Sequence, residues 1–336
     1  MEDIMNLYLK NGYLDMKSIR ETGYPFIFIA AARGTGKTYG GLLDLYRLGD
    51  PIIQLRRTQK EADLQSLYDG TSYKKIFDDI GIEYHVRKTK DIGIVYDDTN
   101  EKEVCYNLAL STFSTIRGFD FSEIRRVFYD EFIAESHVKK MNHEGMAFAN
   151  FYESVNRNRE LYSNDPLQVI CAANSVNMAN DIFMYFDLIQ HAEDLIKNQT
   201  DYKIIGNKLL IIPMHSPISE KKGRTALYQA VNSEFTDMAI SNKFILNDQS
   251  YVKKRVLKEY KCRFRIGDLY FYQHKTKRHF YVTFQKGECS EEYDAGYAGL
   301  KQAQRAKWRF VSYYLDGMIY FESYRCIALF EKYFDM

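Results

Sequence analysis

The sequence predicts an α/β protein, with a central, mostly parallel sheet in its first part and a smaller, aromatic and basic part after it. Three observations predict this class. Strand-like apolar runs alternate with amphipathic stretches, as βαβ units do; a Gly-containing turn joins the first such run to a helical pattern; and from Phe244 onward the texture changes to β-like aromatic and basic alternation. With 336 residues, the chain can bury one large core or two moderate ones. The expected organisation is a sheet domain over 1–213, a connector with a helical segment over 214–246, and a second domain over 247–336.

Taken in order, Tyr24 to Ala30 reads as a buried strand, followed by a turn and a helix from about Gly36 to Arg47. Pro51 to Arg57 reads as a second strand, with the helical pattern Glu61 to Tyr68 behind it. Residues 82–97 alternate like a hairpin around Asp91 to Gly93. Ile124 to Tyr129 and Gln168 to Ala173 read as two more central strands, separated by a helix from about Met146 to Arg159. His215 to Lys243 suits a connector, with turn chemistry at Pro217 and Lys221-Lys-Gly223. One or two apolar helices close the chain.

Composition excludes several classes. The longest apolar runs, such as Phe26 to Ala32, fall far short of the ~20 residues that cross a bilayer, and the acidic, polar-interrupted start shows no signal peptide. No membrane partner is expected. Five scattered cysteines (Cys105, Cys171, Cys262, Cys289, Cys326) form no CxxC pair and have no His at zinc spacing, which predicts reduced thiols and no zinc centre. A net charge of +1 alone does not suggest a nucleic-acid partner, yet residues 251–286 carry eleven Lys and Arg against two acids. That segment is net +9, which leaves −8 for the other 300 residues. Lys253, Lys254, Arg255, Lys258, Lys261, Arg263, Arg265, Lys275, Lys277 and Arg278, interleaved with Tyr and Phe, form the candidate nucleic-acid contact.

The chemistry is concentrated in four segments. Ala31-Ala-Arg-Gly-Thr-Gly-Lys-Thr38 fits a phosphate-binding P-loop, or Walker A element, with Ala in place of the first Gly. Arg33, Gly34, Thr35, Gly36, Lys37 and Thr38 would cradle the nucleotide. Gly34 and Gly36 permit the sharp turn, Lys37 reaches the β/γ phosphates, and Thr38 ligates Mg²⁺. Val127-Phe-Tyr-Asp-Glu131 is an apolar strand ending in two carboxylates, a Walker B pattern. Asp130 would hold the metal and Glu131 would polarise the attacking water. In Asn156-Arg-Asn-Arg-Glu160, a guanidinium supplied to a neighbouring subunit would stabilise the transferring phosphoryl group; a solvated helix end is the competing reading. Ile170-Cys-Ala-Ala-Asn-Ser175 ends a strand in an amide, Asn174, that could sense the γ-phosphate. Arg56 and Arg57 are candidates for adenine contact or for pairing with a carboxylate.

In order along the chain, AARGTGKT, VFYDEF, VNRNRE and ICAANS, with the later NKFILNDQSYVKKR and LDGMIYFESYRCIALFEKYF, resemble the DNA-packaging ATPases of small tailed phages of the phi-twenty-nine type, distant relatives of large terminases. The resemblance runs from about residue 20 to the final helix. It implies a P-loop ASCE ATPase domain and a second domain of RNase H-like fold that has lost its nuclease carboxylates and binds nucleic acid. It also implies ATP and Mg²⁺ as cofactors and a homomeric ring, typically of five subunits. That ring would dock on the portal (connector) of a procapsid and pump double-stranded DNA inward, in some members with a packaging RNA. Such a motor works in the host cytoplasm, transiently at the portal vertex, and is not a permanent virion component. The resemblance assigns Arg157 as the trans-acting finger, with Arg159 the alternative, and places Asn174 in the segment that couples hydrolysis to motion. Between Tyr251 and Lys286 only Glu259 and Asp268 are acidic, and Glu288, Glu291, Glu292 and Asp294 follow in a loop-like stretch, which disfavours two-metal cleavage. The competing readings are a helicase-like P-loop ATPase and a nucleotide-binding assembly protein without motor activity. A GTPase is disfavoured because Asn207-Lys208 and Asn242-Lys243 lack the Asp of a base-reading NKxD.

Overall fold

The computed structural model describes residues 6–135, 141, 143–161, 165–175, 177–230 and 251–336. These fall into two compact units, Met1–Asn177 with His191–Ile245, and Met178–Gln190 with Leu246–Met336. The connector expected over 214–246 is described as far as residue 230. Its remainder, with Asn242-Lys243 and the start of the NKFILNDQSYVKKR segment, lies outside the described residues.

The first unit runs α1 (Met16–Glu21), β1 (Phe26–Ala31), α2 (Lys37–Leu48), β2 (Ile52–Arg56), α3 (Gln59–Gln65), α4 (Tyr73–Ile80), β3 (Tyr84–Lys88), β4 (Gly93–Asp97), β5 (Lys102–Ala109), β6 (Arg126–Asp130), α5 (Glu144–Asn156) and β7 (Gln168–Asn174). After α6 (Asp181–Tyr185), which belongs to the second unit, come α7 (Ile189–Asn198), β8 (Tyr202–Ile205), β9 (Lys208–Ile211), α8 (Pro217–Gly223) and α9 (Ala226–Ala230). The nine strands form one sheet in the order β3-β4-β5-β2-β6-β7-β1-β9-β8. From β5 to β9 in that order every pairing is parallel, while β3, β4 and β8 join antiparallel at the two edges.

The central strands read as unbroken apolar runs because helices cover both faces of a parallel sheet. β1 (FIFIAA) is buried at every position but its first. Below it, Ile27 and Ile29 join Leu42 and Leu45 of α2, Phe77 of α4 and Phe128 of β6 in one core cluster. Gly41 lets α2 approach the sheet: a Cβ there would come 2.5 Å from Phe128 Cε2. Local signals set the helix ends. Thr58 and Glu61 form a reciprocal capping box on α3, and Gly81, at φ +72°, ends α4. The hairpin expected over 82–97 forms as β3 and β4. It continues into β5, a third strand that the sequence reading left out, as it did the β8–β9 hairpin.

In the second unit β10 (Tyr260–Ile266), β11 (Leu269–His274), β12 (Phe280–Thr283), β13 (Glu291–Tyr293) and β14 (Ile319–Phe321) form a mixed sheet in the order β13-β10-β11-β12-β14. Helices Tyr297–Ala306, Arg309–Leu315 and Tyr324–Tyr333 accompany it, and Phe264, Phe271, Phe310 and Phe330 share its core. Two expectations are overturned here: Glu291 and Glu292, expected in a loop, lie on β13, and the five cysteines are not all reduced. Cys262 and Cys289 form a disulfide, whereas Cys105, Cys171 and Cys326 are free and buried. A separation of 27 residues carries no recognisable spacing, but β13 pairs parallel to β10 with Phe264 opposite Glu291, and that register brings the two cysteines together.

Candidate nucleotide site and basic face

Three strand ends meet at the site. β7 lies between β1 and β6, in a register that sets Ala31 opposite Asn174 and Asp130 opposite Ala172. The P-loop leaves β1 and turns into α2 through two residues in the left-handed region, Gly34 (φ +68°) and Gly36 (φ +85°), the latter serving as the N-cap of α2. A side chain at either position would be strained, so the turn depends on glycine. The Thr35 hydroxyl donates to the Ala32 carbonyl (3.0 Å) and tightens the loop.

Lys37 is 7% exposed. Its ammonium donates to the carbonyls of Ala31 (2.9 Å) and Ala32 (2.8 Å) and to Asn174 Oδ1 (3.3 Å). Burial lowers its pKa to about 7, against the opposing pull of Asp130. The Thr38 hydroxyl donates to both carboxylate oxygens of Asp130, at 3.1 and 3.2 Å. Asp130 is almost fully buried, and that burial raises its pKa despite the Arg56 guanidinium beside it. The structure therefore brings Lys37, Thr38, Asp130 and Asn174 together across three strands.

Glu131 follows with φ 57°, an uncommon conformation for a non-glycine residue, fixed by its N–H donating to the Ala172 carbonyl (2.7 Å). Its side chain is 60% exposed and lines a pocket of about 220 Å³ with Asn174, Glu61 and Glu135. Arg56 spans the acidic pair, with Nη2 2.9 Å from Asp130 Oδ2 and Nη1 2.9 Å from Glu131 Oε2. Arg57 makes a bidentate pair with buried Glu144 (2.7 and 3.0 Å), which also accepts the Tyr129 hydroxyl (2.7 Å). Both arginines thus take the carboxylate-pairing option. Arg33 pairs with Glu135, and its carbonyl accepts a hydrogen bond from Lys222 of α8. Sequence reasoning missed Glu135, Lys222 and the bridging position of Arg56. For Arg56 a signal existed, because β2 ends in Arg-Arg and would lie beside a strand ending in Asp-Glu.

The two finger candidates are elsewhere. α5 leaves the carboxyl end of β6 and returns to the start of β7, so Arg157 and Arg159 stand at the amino edge of the sheet, opposite the P-loop. Arg157, at φ 47°, donates to Asp120 Oδ1 (2.8 Å) and the Phe119 carbonyl (3.1 Å), while Arg159 donates to the Ser122 carbonyl (3.0 Å).

In the second unit β10 alternates. Tyr260, Cys262, Phe264 and Ile266 are buried, and Lys261 and Arg263 face solvent. Lys253, Lys254, Lys258, Lys275, Lys277 and Arg278 are exposed as well. Arg255 lies over the Tyr320 ring, its guanidinium carbon 3.7 Å from the centroid, and Arg265 is paired with Glu292 (2.8 Å). The carboxylates of β13 are committed to cations, Glu291 to Lys307 (2.7 Å) and Glu292 to Arg265.

Comparison with known proteins bears on this geometry. The family of podovirus DNA encapsidation proteins (Gp16) matches residues 11–287. A DNA packaging protein of Bacillus phage phi29 is 25% identical over 238 residues, 68% of this chain and 64% of that protein. A DNA packaging protein of Bacillus phage B103 is 27% identical over 236 residues, 68% of this chain and 67% of that one. The phi29 match therefore spans just under two thirds of its relative's length. Among solved structures, the phi-28 gp11 DNA packaging motor superposes with a TM-score of 0.66 at 15% identity over 97% of this chain and 99% of that chain. The bacteriophage phi-29 viral genome packaging motor assembly gives 0.63 at 20% identity over 98% and 100%. These superpositions show a shared fold.

Proposed function

The chain belongs to the podovirus DNA encapsidation protein (Gp16) family, and from that premise we propose that it is the ATP-hydrolysing motor that drives double-stranded phage DNA into a procapsid. The observation that carries this reading is the Thr38–Asp130 hydrogen bond of 3.1 Å, set beside Lys37 and next to the exposed carboxylate of Glu131. The donor set fits ATP and Mg²⁺: a glycine turn with an ammonium for the phosphates, and a hydroxyl and a carboxylate as hard oxygen ligands. Arg33 to Thr38 would hold the phosphates, with Thr38 and Asp130 on the metal. Bound Mg²⁺ would supply charge neutralisation at the phosphoryl oxygens.

Glu131 is the general base in this proposal. It reaches into the pocket, and its carboxylate can orient a water and accept its proton, while Arg56 fixes its direction. Asn174, hydrogen-bonded to Lys37 from the end of β7, is placed to relay loss of the γ-phosphate along that strand. A strand inserted between the P-loop strand and the Asp130 strand supports the ASCE reading of the first unit. Arg157, or Arg159 in its stead, serves a neighbouring subunit, because both lie at the far edge of the sheet from their own P-loop. This requires a ring, for which the family resemblance implies about five subunits.

The second unit, a mixed sheet with helices, supports an RNase H-like domain that binds DNA through its basic face. The pairing of Glu291 and Glu292 with Lys307 and Arg265 argues against a nuclease there. The portal, the procapsid and, in some members, a packaging RNA complete the proposed partners. Replacing Glu131 with Gln tests the enzyme reading: ATP binding is retained and turnover falls by at least about a hundredfold. Turnover retained in Glu131→Gln would remove Glu131 as the base, and a wild type that binds ATP without turning it over would make the P-loop a binding element only.

A further inference from the structure

The connector brings a third cation to the P-loop. α8 begins at Pro217, and the chain start holds it in place: Tyr8 donates its hydroxyl to the His215 carbonyl (2.6 Å), and a Cβ on Gly12 would come 3.2 Å from the Ile218 nitrogen. From this helix Lys222 reaches across to donate to the Arg33 carbonyl. Its chain lies over Gly34, where a Cβ would meet Lys222 Cε at 2.9 Å and Nζ at 3.0 Å. Gly34 therefore serves the turn and also leaves room for the lysine. Lys222 and Arg33 are both among the charges that Lys37 feels, so three cations converge on one loop turn.

We infer that Lys222 is a phosphate ligand contributed by the connector, which leaves the Arg33 carbonyl for the β/γ phosphates when a nucleoside triphosphate binds. This rests on the nucleotide reading of the P-loop. A lysine ammonium is a compact charge that prefers an anionic oxygen to a neutral carbonyl, because charge-assisted hydrogen bonds are the stronger ones. Half-buried at the loop, and with its own pKa lowered by burial and by Arg33, Lys222 gains most from a partner that is an anion. Lys222 meets the loop at the Arg33 carbonyl and over Gly34, in the turn that leads into Lys37, the group that reaches the β/γ phosphates. The consequence is a mechanical one. The γ-phosphate would take hold of α8 directly, and its release would let α8 return to Arg33, so the connector reads nucleotide state through one side chain.

Binding of ATPγS, ADP and AMP, measured by displacement of a fluorescent ATP analogue from the full chain, tests this with the variants Lys222→Gln, Lys222→Arg and Lys37→Ala. Lys222→Gln is expected to weaken ATPγS about tenfold and ADP less, and Lys222→Arg to stay within about threefold of the wild type. Hydrogen exchange gives the second readout. ATPγS slows exchange of the amides over 218–226 in the wild type and leaves them unchanged in Lys222→Gln. If Lys222→Gln binds ATPγS as the wild type does while Lys37→Ala loses it, the inference on Lys222 is overturned and the nucleotide site stands. If the wild type binds no ATPγS, both fall.

Discussion

Replacing Lys37 with Met should change how stability depends on pH, by an amount set by the burial of the ammonium. The Lys37 pKa falls from 10.5 to about 7 in the folded protein, with burial as the main cause. A group whose pKa is depressed on folding contributes stability that is present above its unfolded value and is lost as pH falls through its folded value. Between pH 7 and 9.5 the unfolded chain keeps this proton while the folded chain gives it up. Stability of the wild type should therefore rise with pH across this window relative to Lys37→Met. At 1.36 kcal/mol per unit, the difference amounts to about 3 kcal/mol. The assay is urea unfolding of both proteins at several pH values, with the difference between the two curves cancelling the groups they share. Parallel curves would refute the reasoning, because they would mean that the ammonium is as well solvated in the loop as in the unfolded chain. ATPγS supplies an anion to Lys37 and should flatten the difference.

Two further outcomes follow from the proposed ring and from the basic face. Arg157→Ala mixed with Lys37→Ala, each inactive alone, should recover ATP turnover, since an intact P-loop can then take its arginine from a Lys37→Ala neighbour; no recovery would remove the trans role. Lys261→Gln with Arg263→Gln should weaken double-stranded DNA binding and lower the slope of log affinity against log salt by about 1.8, the value for two phosphate contacts, and an unchanged slope would place the DNA elsewhere.

The site was legible where chemistry and local order coincide. Thr38 and Asp130 are 92 residues apart, yet Asp130 ends an apolar strand and Thr38 opens the helix that follows another, and parallel strands deliver their carboxyl ends to one edge. Arg56 was half-legible: its place at the end of β2 could be read, but not that β2 would neighbour β6, which decides that it bridges Asp130 and Glu131. Lys222 was illegible in kind. It sits in a turn-like Lys-Lys-Gly whose purpose appears only when α8 is laid across the P-loop. The Cys262–Cys289 bond was hidden for the same reason, since it depends on the parallel register of β10 and β13 rather than on spacing. β5 escaped the reading because its polar positions (KEVCYNLA) break the alternation that revealed β3 and β4.

Coupling of hydrolysis to DNA is read from ATP turnover of the purified wild-type chain across a titration of double-stranded DNA. A DNA-coupled motor gives turnover that rises with DNA and saturates. Turnover unchanged over the whole titration would contradict the coupling and leave an ATPase that does not engage DNA.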